Sequence, residues 1–488
     1  MSYLELLRLA APEAIVVVTA LVVLTIGLTT ARALVLGPIV AVLGIAVAIG
    51  AILMLPVHAN LFGGMLVISP LNSLFKIICL ALTIATVPLV SSEKSLPNPG
   101  EYIAMLLLGS VGLMLLVGSE ELLMIFIGLE LLGLSLYVLA AFDKTDVHSA
   151  EAGLKYFLFG STASAFTLFG ISLIYGLSGT TALAAIGQKL TALPLQPLLA
   201  VGIVMTLIGF AFKIAAAPFH LWAPDAYQGA PIPSAAFIAS GSKVASFVVL
   251  GKIVLIGFGP IHGSADWHAM IAGWSPVLAA LAALSILLGN FVALAQTNVR
   301  RLLAYSAVAH GGYTLLGIVA GGREGFSATL FYTSIYAVTL IGAFAVVGAV
   351  RRETGGDDLQ NFSGLAASSP FLATCMSIFF LSLAGLPPLA GFFGKFYLFS
   401  AAFRAGGNHG LLWLVAIALF GSFVSLYYYL IVLKVIFVDH ASDSEARHSS
   451  HVTRHLFGEA VIAVLAAVVL FLGIMPQTFA ARIIASLP

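Results

Sequence analysis

A chain of 488 residues that is 61% hydrophobic and only 8% charged is not a soluble domain, in which about 25% of residues are charged. It is the composition of a chain that crosses a membrane many times. A formal net charge of +1 with no basic block excludes a nucleic-acid partner, and Cys79 and Cys375, both in apolar segments, predict neither a disulfide nor a metal site.

Stretches apolar and long enough to span recur about fourteen times. They fall near 11–30, 33–56, 70–91, 101–118, 121–141, 153–178, 197–219, 231–257, 274–296, 300–320, 325–350, 370–403, 410–438 and 459–475. Glu5 and Glu13 flank Arg8 with no clear cleavage site after them, so residues 1–30 are read as a retained first helix. The longest polar segment, 439–458, holds four of the eleven histidines. Their irregular spacing among serines reads as a solvated loop, not a metal site. Lys and Arg divide unevenly between alternate loops. Arg32, Lys94, Lys144, Arg300, Arg301, Arg351, Arg352, Lys434, Arg447 and Arg454 fall on one side, and Arg8, Lys189, Arg323, Arg404 and Arg482 on the other. This asymmetry predicts a cytoplasmic 439–458 loop and both termini on the outer side.

The remaining basic residues lie inside spans. Lys76 and Lys155 are near segment starts and Lys252 near a segment end, where long stems are expected to snorkel. Lys252 follows Lys243 by nine residues, about 180° round a helix, so the two face opposite ways. Lys213, Lys243 and Lys395 are left deep in the bilayer, where a lysine costs at least about 2.5–3.5 kcal/mol and must face the bundle interior or water. Glu130 is the acid placed mid-span, with Gly133 and Tyr137 on its helix face, a stripe suited to close helix contact. An unpaired carboxylate there would be neutral or need a basic partner, for which a deep lysine is the candidate. Pro218 follows Lys213 and breaks its helix, freeing a carbonyl one turn earlier.

The same pattern returns later in the chain. Tyr336-Ala-Val-Thr-Leu-Ile-Gly342 echoes Ser164-Ala-Phe-Thr-Leu-Phe-Gly170, and the same offset carries Pro218 to the Leu386-Pro387-Pro388 break and Lys213 to a point short of Lys395. The sixth helix would map on the eleventh and the seventh on the twelfth. An odd offset of five spans gives the halves opposite orientation, the inverted-repeat pattern of ion-translocating folds. The expected architecture is an all-α polytopic membrane protein with two inverted five-helix repeats, each with a broken helix. Residues 1–100 form three N-terminal helices, 101–257 the first repeat (helices 4–8), 258–438 the second (helices 9–13), and 439–488 the loop and final helix.

No nucleotide loop, catalytic triad or haem- or cluster-ligand spacing is present in the sequence, so no cofactor is expected in this chain. What remains is a set of titratable groups at membrane depth, Glu130, Lys213, Lys243 and Lys395, which suits proton exchange. Thr206, His220, Ser242, Ser246, Tyr305, His310 and Tyr336 are candidates to hold water between them, each weighed against an ordinary helix–helix hydrogen bond.

The segments GFAFKIAAAPFHLWAPDAYQGAPIPSAAFIASGSKVASF and LSLAGLPPLAGFFGKFYLF resemble the two broken-helix blocks of the antiporter-like membrane subunits of respiratory complex I, the proton-pumping NADH:quinone oxidoreductase. EAGLKYFLFGSTASAF, RRLLAYSAVAHGGY and GLELLGLSLYVLAAF extend the likeness over residues of about 100 to 440. Within that family, the APDAYQGAPIP wording, Lys395 and the total length favour one subunit type. A second type carries a long C-terminal lateral helix, and a third usually has glutamate in place of Lys395. The resemblance implies a fourteen-helix subunit of the bacterial inner membrane. It would have no redox centre of its own, would sit against other membrane subunits, and would couple quinone reduction to proton transport. It further implies Glu130 and Lys213 as an ion pair in one half-channel, Lys243 as the central lysine and Lys395 as the group in the other half-channel. The alternative sharing this fold is a subunit of a multisubunit cation/proton antiporter.

Overall fold

The computed structural model describes residues 3–30, 32–91, 93, 96–405, 409–439 and 456–487. Its helices are α1 (Tyr3–Leu9), α2 (Ala11–Thr29), α3 (Ala33–Leu53), α4 (Pro70–Val90), α5 (Pro99–Gly118), α6 (Leu122–Ala140), α7 (Val147–Ser178) and α8 (Leu183–Leu190). There follow α9 (Pro197–Lys213), α10 (Trp222–Gly229), α11 (Ile232–Ala239), α12 (Gly241–Lys252), α13 (Trp274–Leu294), α14 (Val299–Ala320) and α15 (Gly322–Thr354). The chain closes with α16 (Leu365–Ser368), α17 (Pro370–Ala384), α18 (Ala390–Arg404), α19 (Leu412–Phe437), α20 (Leu456–Ile474) and α21 (Pro476–Ser486). A hairpin of β1 (Ala59–Leu61) and β2 (Leu66–Ile68) pairs Ala59 with Ile68.

Among the described residues, eleven helices are long and apolar enough to cross a membrane, and the bent pair formed by α20 and α21 makes a twelfth. In hydrocarbon every backbone polar group must be satisfied within its own segment, which is why such sequence folds as helix. Two further spans are broken: α9 and α17 are apolar but short, and each continues after a break into α10 or α18. All fourteen expected stretches are therefore helical. The hairpin, the short α8 and the terminal α21 are not expected from the sequence. The 439–458 loop, with Arg447, Arg454 and its histidines, falls almost wholly outside the described residues, as does Lys94.

Helix starts carry the expected chemistry. Ser69 caps α4 by accepting from the Asn72 backbone N–H at 3.2 Å, Asp146 caps α7, and Asn298 caps α14. Proline opens α4, α5, α9, α17 and α21, where its missing N–H costs nothing. The interior is formed by α11, α12, α14 and α15, which are almost wholly buried; α2 and α3 expose most of their surface. The 33-residue α15 packs on α11, α12, α14, α17, α18 and α20.

Continuous helix is interrupted at three points near the deep lysines. After α9 the chain turns at Ala215, which takes a left-handed φ of 58°, a strained conformation for a residue with a Cβ. After α17 the turn is made by Gly385 at φ 86°, where glycine is at ease. The third interruption is not expected: residues 232–257 break at Ser240 (φ −113°, ψ −87°) between α11 and α12. Its neighbours Gly241 and Ser242 make the local sequence a Ser-Gly-Ser, a common place for a helix to kink.

Candidate functional site

Lys213 is the last residue of α9 and is buried. Its Nζ has no hydrogen-bond partner among the described residues; it lies 5.3 Å from the ring centre of Tyr137, 5.6 Å from that of Tyr156 and 5.6 Å from that of Phe212. A desolvated ammonium over an aromatic face gains about 2 kcal/mol. The neighbouring Phe212 carbonyl accepts from Trp222 Nε1 at 3.1 Å and from the Ala215 backbone N–H at 3.0 Å. Glu130 in α6 is only half-buried and accepts a short hydrogen bond from the Ser164 hydroxyl of α7. Glu130 and Lys213 are thus not hydrogen-bonded to each other. They line one cavity with Ser164, Thr167 and Gly209, with about 10 Å³ of space for water centres, roughly what one water requires. Gly133 belongs to the same arrangement: a Cβ there would stand 3.1 Å from Lys213 Nζ.

Lys243 stands three residues beyond the Ser240 interruption. Its Nζ donates to the Ala307 carbonyl of α14 at 2.7 Å and lies 5.5 Å from the ring centre of Tyr336. Lys395 in α18 donates to the Ala384 carbonyl at 3.0 Å and to Ser422 Oγ of α19 at 3.0 Å. Ala384 ends α17, so this lysine uses a carbonyl that the helix break leaves free. The spacing of Lys395 from the Pro387-Pro388 break leads one to expect this contact.

Aromatic side chains join these two lysines. The Tyr336 ring under Lys243 lies 5.0 Å from the His310 ring, His310 lies 5.5 Å from Tyr313, and Lys395 Nζ stands 5.1 Å above Tyr313. His310 Nδ1 meets the Tyr332 hydroxyl, and its Nε2 meets the Tyr429 hydroxyl at 3.1 Å. Tyr313 accepts from Asn290 Nδ2 at 2.9 Å, and Tyr428 donates to Asn290 Oδ1 at 3.1 Å. His310 and Tyr336 are expected from sequence; Asn290, Tyr313, Tyr332, Tyr428 and Tyr429 are not. The one signal was the run Tyr427-Tyr428-Tyr429 inside an apolar helix.

The other water-chain candidates divide. His220 is buried with Nδ1 unpartnered among the described residues, its ring 6.3 Å from Tyr305. The Tyr156 and Tyr336 hydroxyls are also buried without a protein partner there. Buried polar atoms in this state are the natural partners of internal water. Thr206 and Ser246 instead donate to carbonyls of their own helices, the latter to the Ser242 carbonyl at 2.7 Å, the ordinary use of a hydroxyl in an apolar helix.

Two expectations fail. Lys76 and Lys252 do not snorkel: both are buried, and Lys76 Nζ pairs with Glu13 Oε1 of α2 at 2.5 Å. Lys252 Nζ donates to Asn72 Oδ1 at 2.5 Å and the Val117 carbonyl at 2.7 Å, with the Ser119 carbonyl at 3.5 Å and Glu120 Oε1 at 3.7 Å. The carbonyls belong to the last turn of α5 and its exit, which has no helical donors of its own and favours a cation. That sink is invisible in sequence. Glu130 is accordingly not the one acid inside the bundle, since Glu13 is also buried. Lys155 does stay near the surface, paired with Asp225 at 2.7 Å and Glu151 at 2.6 Å. Lys243 and Lys252 face opposite ways as the helical arithmetic requires, toward α14 and toward α4 and α5. Among the described residues no group of three or more His, Cys, Asp or Glu could hold a metal ion.

Gly385 tests the second break. Its φ of 86° is left-handed and a Cβ would stand 2.9 Å from Lys395 Cδ. Gly385→Ala is expected to cost about 1–3 kcal/mol of strain and to lower the thermal midpoint of the detergent-solubilised protein; an unchanged midpoint would show that the break relaxes freely.

Comparison with known proteins gives a consistent picture. Residues 119–425 match the family described as NADH:quinone oxidoreductase/Mrp antiporter, transmembrane. The chain is 45% identical to NADH-quinone oxidoreductase subunit N 2 of Acidobacterium capsulatum, covering 98% of both chains. It is 39% identical to subunit N of Desulforamulus reducens over 86% of this chain and 85% of that one. Among solved structures, a chain of respiratory complex I from Thermus thermophilus superposes with a TM-score of 0.79 at 31% identity, covering 96% of this chain and 98% of that chain. A chain of the Mrp complex from Dietzia superposes at 0.83 with 21% identity over 98% and 97%, a likeness of fold.

Proposed function

Because the chain belongs to the NADH:quinone oxidoreductase/Mrp antiporter membrane family, on its subunit N branch, we propose that it is the proton-translocating membrane subunit of an NADH:quinone oxidoreductase. In that role Glu130, Lys213, Lys243 and Lys395 exchange protons during quinone reduction. The observation that carries this reading is the line of buried contacts from Lys243 through Tyr336, His310 and Tyr313 to Lys395. A bundle that served only as an anchor would gain nothing from two ammonium groups, those of Lys243 and Lys395, held by carbonyl, hydroxyl and aromatic contacts. Burying an ion costs several kcal/mol, and one hydrogen bond or one aromatic face offsets only part of that cost.

Roles follow from the contacts. Glu130 and Lys213 share a cavity of one-water size, so a proton can pass between them through a single relay. Lys243 rests on one carbonyl and one ring, and such an amine can lose its proton without leaving a carboxylate unpaired. Lys395 occupies the carbonyl of the second break. His310, hydrogen-bonded on both ring nitrogens to tyrosine hydroxyls, bridges the last two lysines. The long helices α7 and α15, each followed by a broken span, support a division into repeats 101–257 and 258–438 flanked by 1–100 and 439–488. Redox chemistry and any flavin or iron–sulfur group belong in this reading to partner subunits packed against the chain. Identity to subunit N relatives, against a shared fold alone with the Mrp complex, favours this reading over a cation/proton antiporter. The test is proton pumping and quinone reduction by the assembled complex carrying Lys243→Arg or Lys395→Arg, both of which are expected to fall.

Topology is part of the reading. The basic asymmetry places the chain ends on the outer side of the bacterial plasma membrane, with Thr354, at the end of α15, on the cytoplasmic side and Thr478 in α21 opposite. Both are exposed. With cysteine introduced at each in turn, an impermeant thiol reagent added outside intact cells is expected to label 478 alone. Labelling of 354 would reverse the orientation.

A further inference from the structure

A large cavity lies away from the lysine line. It has a volume of about 1130 Å³ and opens on the face that carries the β1–β2 hairpin, the start of α15 and the end of α21. Lys252 and Glu120 both line it. Their side chains differ sharply in exposure, 1% for Lys252 and 30% for Glu120, so the carboxylate stands between the buried amine and the open space. The two approach to 3.7 Å. Lys252 Nζ also has the Asn72 side chain and the exit carbonyls of α5 as acceptors. Those acceptors are amide oxygens, whereas Glu120 is a carboxylate, a group that takes up a proton by forming an O–H bond.

We propose that Lys252 and Glu120 form a port at which the subunit exchanges protons with the aqueous phase on that face. The proposal rests on the reading that buried lysines in this chain carry protons. In the step, the Lys252 N–H bond breaks and a Glu120 O–H bond forms, leaving a neutral amine and a neutral carboxylic acid. Glu120 then gives the proton to water in the cavity. The reverse sequence reloads the pair, and no other reactant is needed.

Lys76 of α4 acts on Lys252 through space and is itself held by Glu13 of α2. Glu121 is buried and committed to capping α6, where it accepts from the Leu123 and Met124 backbone N–H groups. Arg323 lines the cavity but donates to the Ile484 and Leu487 carbonyls. His58 and His262 complete the titratable lining. Glu120 is thus the carboxylate positioned to take the proton. The competing account treats Lys252 as a fixed cation that caps the C-terminus of α5.

Arginine separates the two accounts, because it caps a helix equally well but its neutral form is roughly 100-fold or more rarer than that of lysine. In proteoliposomes holding the whole complex, pumping per assembled complex is measured for Lys252→Arg and Glu120→Gln. The pH of the compartment facing the cavity is varied from 6 to 9, with Lys395→Arg run in parallel. Lys252→Arg is expected to lose at least about tenfold in pumping rate, and Glu120→Gln to flatten the dependence on that compartment's pH. Normal pumping by Lys252→Arg, or an unchanged pH profile in Glu120→Gln, overturns the port. If Lys252→Arg does not assemble, the Glu120→Gln profile decides. Loss in Lys395→Arg with normal Lys252→Arg removes the port and leaves the broader reading standing; normal pumping in both removes the broader reading as well.

Discussion

Lys395→Arg is expected to assemble and to lose most proton-coupled quinone reduction, while Lys395→Glu retains more of it. Lys395 Nζ is held by the Ala384 carbonyl and Ser422 Oγ over the Tyr313 ring. A guanidinium can satisfy both acceptors and stack on the ring, so a fixed charge at this point would tolerate the exchange. A proton carrier would not, because arginine does not release its proton during turnover. The cost to the rate is set by that missing step, and a loss of about tenfold or more is expected. A glutamate can gain and lose a proton in a buried site, though it forfeits the Ala384 contact in its ionised form. Quinone reduction and pumping in membranes, normalised to assembled complex, decide between the accounts. Full activity of the arginine variant would make Lys395 a static charge.

Glu130→Ala should lower coupled activity by about tenfold, with Glu130→Asp milder. Removing the carboxylate leaves the Ser164 hydroxyl without its acceptor and the Lys213 ammonium with only aromatic faces near it. A buried charge stripped of its compensation costs about 3–5 kcal/mol, a large change for a group that must load and unload protons. Aspartate keeps the charge but retracts it by one methylene, widening a cavity that now has room for about one water. Because Glu130 is only half-buried, the bundle should still assemble. If Glu130→Ala pumps at the wild-type rate, the shared cavity has no part in transport.

Apolar length and proline placement made the fourteen spans and both breaks legible, because membrane helices answer to local composition. The deep lysines were legible for the same reason: a charge amid lipid-compatible residues stands out. What lay beyond sequence was the identity of their partners. Pro218 points to a freed carbonyl near Lys213, but nothing in the sequence shows that the rings of Tyr137, Tyr156 and Phe212 surround the amine. Lys252 and Lys76 stand where a helix position suggests snorkelling, yet Glu13 of α2 reaches Lys76, and Asn72 of α4 and the open end of α5 reach Lys252. The tyrosines around His310 come from α14, α15 and α19, so no single segment displays the cluster.

The central claim, that a buried amine in this chain releases and regains a proton in each cycle, is tested most directly at Lys243. Its polar contact is a single backbone carbonyl, that of Ala307, which an arginine can also satisfy. The measurement is the proton-pumping rate of the Lys243→Arg complex in proteoliposomes, per assembled complex, during NADH oxidation by quinone. The account predicts a fall of about tenfold or more; pumping at the wild-type rate would contradict it.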